Sequence, residues 1–115
     1  MNPARPQPGV DLCALADLPE GASKGFRFRE GEAMFAGFVI HKAGQVLGYE
    51  DSCPHAGWPL GMFDAYFTRE GDYILCRGHG ALFRPLDGHC VSGPCAGDNL
   101  NPWPVEVRGE RLVTA

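Results

Sequence analysis

No apolar run in this chain of 115 residues approaches the length of a membrane-spanning helix. The first nine residues, Met1 to Gly9, carry three prolines where a secretory signal would carry an apolar stretch. The expected location is therefore the cytoplasm. Basic residues are in the minority, 10 Lys and Arg against 14 Asp and Glu for a net charge of −4. That excludes nucleic acid as the main partner, since phosphate binding needs a basic face. There is no even set of cysteines either. Five, in a chain expected among reduced thiols, argue against a disulfide framework and for metal binding. Internal repeats, linkers and convincing helical periodicity are missing too. What remains room for is one domain with one modest core, and no substrate domain beside it.

What is present reads as strands. Sixteen Gly and ten Pro, spread along a chain that is 44% apolar, suit short strands and tight turns. Residues 1–9 are expected to form a flexible N-terminal arm, and 10–115 a single domain. Val10 to Leu15 reads as a first strand, and Gly25-Phe26-Arg27-Phe28-Arg29 alternates with the period of a half-buried one. Met34 to Ile40 reads as a buried strand, followed by an Ala43-Gly44-Gln45 hairpin into Val46 to Glu50. Tyr73-Ile74-Leu75, Ala81-Leu82-Phe83, Cys90-Val91 and a terminal hairpin over Val105 to Val113 complete the set. The expected fold is all-β, an antiparallel sandwich or small barrel.

Two segments share one form, Cys53-Pro54-His55-Ala56-Gly57 and Cys76-Arg77-Gly78-His79-Gly80. Each sets a thiol and an imidazole within one tight turn, and the glycine after each histidine lets backbone bend around something bulky. Two Cys and two His also satisfy tetrahedral zinc, so a zinc-stabilised binding module is one reading. The spacing favours another: zinc fingers usually pair cysteines with cysteines and histidines with histidines, whereas each loop here holds one of each.

These paired boxes resemble the C-x-H and C-x-x-H boxes of Rieske iron–sulfur proteins, and Gly88 to Cys95 resembles the loop that follows them in ferredoxin-like members. The likeness runs from about Val10 to Val113, with the cluster-binding part at about 51–97. It implies one [2Fe–2S] cluster per chain, with Cys53 and Cys76 on the inner iron and His55 and His79 on the outer, solvent-facing iron. It also implies a soluble one-electron carrier, not an enzyme, of the kind that serves bacterial ring-hydroxylating oxygenase systems. A flavin-dependent reductase would give electrons and a terminal oxygenase would accept them, with the carrier expected as a monomer. The runner-up is a small redox subunit of a larger oxidoreductase of the nitrite-reductase type.

The chain departs from respiratory Rieske proteins, which bridge the two loops with a disulfide; here Trp58 and Gly78 stand in the corresponding places. Ala81 and Phe83 stand where those proteins have hydroxyls on the cluster sulfurs, which implies a potential near the low end of the Rieske range, roughly −150 mV. The twenty residues between His55 and Cys76 leave Gly61 to Gly71 as an extra loop. Gly93-Pro94 is expected to cover one side of the cluster. Trp58, Met62 and Phe63 suit either an apolar docking rim or packing beneath that loop. Cys90 and Cys95 are expected to be buried thiols, Cys13 a small core residue, Trp103 a structural plug, and His41 and His89 solvent-facing residues that bind nothing.

Overall fold

Phe26 and Phe28 turn inward while Arg27 and Arg29 are exposed, the alternation that the sequence pattern requires of a strand with one wet face. The computed structural model describes residues 2–54, 60, 65–78 and 80–115. Among the described residues nine strands run in chain order: β1 (Asp11–Ala14), β2 (Ser23–Glu30), β3 (Ala33–Lys42), β4 (Gln45–Glu50), β5 (Ile74–Leu75), β6 (Leu82–Phe83), β7 (Cys90–Ser92), β8 (Val105–Arg108) and β9 (Arg111–Thr114). They form three antiparallel sheets of three strands, ordered β1-β9-β8, β2-β3-β4 and β5-β6-β7. The all-β expectation holds. One short 3-10 turn, Leu15–Asp17, takes the end of what the sequence reads as the first strand.

β3 decides the architecture. Its residues from Gly37 to Ile40 are all buried, because the two faces of the strand meet different cores. Phe38 and Ile40 point into a cluster that contains Tyr49, Tyr66, Phe83 and four cysteines, Cys53, Cys76, Cys90 and Cys95. Phe35 and Val39 point the other way, into a cluster built around Trp103 with Cys13, Leu18 and Leu112. Trp103 is 1% exposed, and the rings of Phe26, Phe28 and Phe35 stand 5.4–6.2 Å from it in tilted and edge-on arrangements. At Gly37 a side chain would overlap the Trp103 ring, so glycine is what lets the indole lie flat on the sheet. Pro102 and Pro104 have no N–H, and the one donor between them, Trp103 N–H, bonds the Gly48 carbonyl at 2.9 Å.

Turn chemistry closes the β3–β4 hairpin. Ala43 and Gly44 both take positive φ, 52° and 75°, as a two-residue hairpin loop demands. The Glu20 carboxylate accepts both of their N–H groups, at 2.9 and 2.8 Å. Those bonds, Gly44's first, hold its carboxyl below the usual range.

Two expectations change. Residues 2–9 are not a loose arm: Ala4 is buried in the Trp103 core, Arg5 pairs with Glu50 at 3.0 Å, and Gly9 N–H bonds the Thr114 carbonyl. Thr114 donates its hydroxyl to Gln7 O and accepts from Val10 N–H. Prolines prevent the segment from joining a sheet, but not from docking by side chains and single bonds. The described part of the extra loop also does more than expected. Phe67 bridges Ile74, Tyr66 accepts from Leu75 N–H, and together they widen the short β5–β6 sheet; residues 61–64 lie outside the described part.

Candidate metal centre

Cys53 follows β4 and Cys76 follows β5, so each sits at the mouth of a loop that a strand delivers to one end of the β3 face. Both are fully buried and both belong to the same core cluster. None of the five cysteines is in a disulfide. The Cys76 loop is closed by Cys76 N–H to Ala81 O at 2.9 Å and Gly80 N–H to Cys76 O at 2.8 Å. His55 and His79 lie outside the described residues, as do Trp58, Met62 and Phe63. Among the described residues no three metal-ligating side chains converge.

Three residues that the sequence reading passed over join the two loops. Asp51, two positions before Cys53, is 6% exposed, and its Oδ1 accepts Leu60 N–H at 2.7 Å. Leu60 is fully buried, and its carbonyl accepts the N–H of Arg77, the residue after Cys76, at 2.9 Å. Tyr66 donates its hydroxyl to Asp51 Oδ2 at 2.8 Å while its ring stacks on Phe38, centroids 4.2 Å apart. The result is a hydrogen-bonded tie from one cysteine loop to the other, where a covalent bridge is absent. A buried carboxylate with two donors is satisfied without a cation. No local pattern marks these residues, since their partners are remote in sequence.

The third loop comes from β7. Gly93 has φ of +101° and presses its Cα against Ala81, so a side chain at 93 would overlap Ala81 backbone. That approach needs a small residue at 81, and carries Cys95 into the core beside Cys90, the sulfurs 3.1 Å apart. Burial first, then its hydrogen bond with Cys90, pushes the Cys95 thiol up to about 12. Tyr49, whose hydroxyl donates to Pro85 O at 2.7 Å, is likewise pushed up to about 12, by burial and then by the Asp87 charge.

The two remaining histidines are engaged rather than solvent-facing. His41 is half-buried with Nδ1 2.8 Å from Leu18 O, and His89 Nδ1 lies 2.9 Å from Asn99 Oδ1. Cys13 is buried in β1 within the Trp103 core. A recess of about 580 Å³, lined by Tyr73, Arg84, Leu86 and neighbours, lies at the opposite end of the β5–β6 hairpin from the Cys76 loop. It brings no nucleophile or base to the cysteines.

The donor set suits an iron–sulfur group: two sulfurs shielded from water, on loops tied to one rigid core, with no disulfide consuming them. The family model of the Rieske [2Fe–2S] domain matches residues 9–107. A ferredoxin, CarAc of Metapseudomonas resinovorans, is 28% identical over 107 residues, 92% of each chain. A chain in the complex of reduced oxygenase and oxidized ferredoxin in carbazole 1,9a-dioxygenase is 30% identical with a TM-score of 0.70, over 92% of this chain and 100% of that one. The ferredoxin of carbazole 1,9a-dioxygenase from Nocardioides aromaticivorans IC177 shares the fold at 24% identity and a TM-score of 0.69, over 92% and 95%.

Proposed function

This chain belongs to the Rieske [2Fe–2S] domain family, and from that premise we propose that it is a soluble one-electron carrier holding one cluster per chain on Cys53, His55, Cys76 and His79. Residues 10–115 form the single domain, with 2–9 packed against it. The observation that carries this reading is the placement of Cys53 and Cys76, each fully buried, in one core at the mouths of two tied loops. When bound, the cluster supplies a one-electron couple. The chain's own residues fix its surroundings: the core shields the cysteine side from water, and the tie through Asp51, Leu60 and Arg77 limits how far the loops move apart on a change of charge.

The electron acceptor is a terminal oxygenase, by likeness to the ferredoxin found in complex with the oxygenase of carbazole 1,9a-dioxygenase, and the donor is a flavin-dependent reductase, as the family resemblance implies. The contact is brief and small, as redox encounters typically bury less than about 1,200 Å². The protein works in the cytoplasm and as a monomer. No helix among the described residues is long and apolar enough to cross a membrane.

Iron and acid-labile sulfide measured on anaerobically prepared protein test the assignment, with equal amounts of the two expected in the wild type and neither in Cys76→Ser. Zinc in their place would end the iron–sulfur reading. Stopped-flow oxidation of the reduced protein by a ring-hydroxylating oxygenase then tests the partner class, and an oxygenase that leaves the carrier reduced argues against it.

A further inference from the structure

Cys90 and Cys95 stand outside the proposed ligand set, yet nothing about them looks like simple filling. Cys90 begins β7 and Cys95 follows the Gly93-Pro94 turn, and their sulfurs face each other at 3.1 Å. Backbone bonds hold that pose: Gly97 N–H to Cys90 O at 3.1 Å, Cys90 N–H to Asp98 O at 2.8 Å and Asp98 N–H to Cys95 O at 2.9 Å. The thiols themselves are 1% and 2% exposed, but every other residue from Val91 to Asn99 is exposed. The pair is thus buried under a thin surface turn, where a local opening admits a small solute. Cys90 donates its hydrogen to Ser92 O at 3.3 Å.

We propose that Cys90 and Cys95 are a reversible dithiol–disulfide site. The oxidant is a hydroperoxide, hydrogen peroxide being the simplest. One thiol gives up its proton once the turn opens to water and attacks the peroxide as the thiolate; the O–O bond breaks, the leaving hydroxide takes up that proton as water, and a sulfenic acid remains. The second sulfur then displaces that hydroxyl as a second water, forming the S–S bond. Two thiols lose two hydrogens and two electrons, and one peroxide gains them. The sulfurs need to close from 3.1 Å to about 2.0 Å, a shift that the surface turn absorbs more readily than a strand would. A small hydroperoxide enters where a bulky disulfide reagent would not.

The disulfide does not rest on the assignment of Cys53 as a ligand.

The test treats the iron-loaded protein with stoichiometric hydrogen peroxide, anaerobically, and reads two things on one sample. Peptide mass mapping is expected to find Cys90 linked to Cys95, reversed by dithiothreitol. Iron content and the visible spectrum are expected to be retained. Cys90→Ser is expected to abolish the link. Full alkylation of both thiols after peroxide, or oxygen acids on single sulfurs in place of a link, overturns the proposal. Iron content separately reports whether the electron-carrier reading stands, because the link is mapped with or without it.

Discussion

The two cores on either side of β3 are made differently. Around Trp103 the contacts are large rings on long strands: Phe26 and Phe28 from β2, Phe35 from β3, with Leu112 closing from β9. Around the cysteines the strands are two or three residues long, the small residue Ala81 is fully buried, and the interior holds polar bonds from Asp51, Tyr66 and Tyr49. The first core is stabilised by apolar area, at about 25 cal/mol per Å², and depends on nothing outside the chain. The second has sulfur where hydrocarbon would pack and short ladders that give few bonds. On the proposed ligand assignment it is complete only with its cluster. Stability and function are thereby separated by the thickness of one strand.

The sharpest way to break that comparison is Trp103→Ala. Removal of a fully buried indole is expected to cost roughly 3–5 kcal/mol, read by chemical denaturation. Both cores are expected to fail together, since β3 is their shared wall. Retention of the cluster spectrum at denaturant concentrations that unfold β2 would show that the cysteine side stands alone.

Asp51→Ala is the complementary cut. It leaves the buried Leu60 N–H without its acceptor and removes the bond from the Tyr66 hydroxyl, a cost of roughly 1–3 kcal/mol. The expected outcome is faster iron loss and faster amide exchange at Leu60 and Arg77, with β2 protection unchanged. Equal loss of protection in β2 would mean that the tie serves the whole domain. Asp51→Asn, which keeps an acceptor for Leu60, is expected to fall between.

Tyr49 sharpens the comparison through pH. Its folded value of about 12 lies above the ordinary phenol range, so the neutral ring's contribution is fully present below about pH 10 and lost as pH rises through 12. Tyr49→Phe is expected to lower stability by about 1 kcal/mol at neutral pH, through loss of the bond to Pro85, and to flatten the alkaline fall. Urea midpoints across that range check it. Glu20 gives the smallest effect, on the Trp103 side. Its lowered carboxyl contributes above the ordinary carboxylate range and loses that contribution as pH falls through its folded value. Glu20→Gln is expected to reduce the acid sensitivity of the β3–β4 hairpin only slightly, because the group is exposed.

The nine strands and the two Cys-and-His boxes were legible in the chain because both are short-range patterns. Alternation of Phe and Arg in β2 reports one wet face, and Gly80 after His79 reports a tight turn with positive φ, whatever the rest of the chain does. The arm was misread for the same reason: Pro3, Pro6 and Pro8 state locally that no strand forms there, and say nothing of Ala4 docking under Trp103 or of Thr114 fastening Gln7. Leu60 is one apolar residue in a loop until Asp51 and Arg77 reach it from nine residues before and seventeen after. Cys90 and Cys95 were visible as thiols, but their facing pose comes from Gly93 pressing on Ala81. Residue type and spacing determined which ligands can be proposed for this protein and which strands it forms. Only the tertiary fold decided what stands beside each sulfur, because hydrogen bonds and close backbone approaches between remote segments leave no period in the sequence.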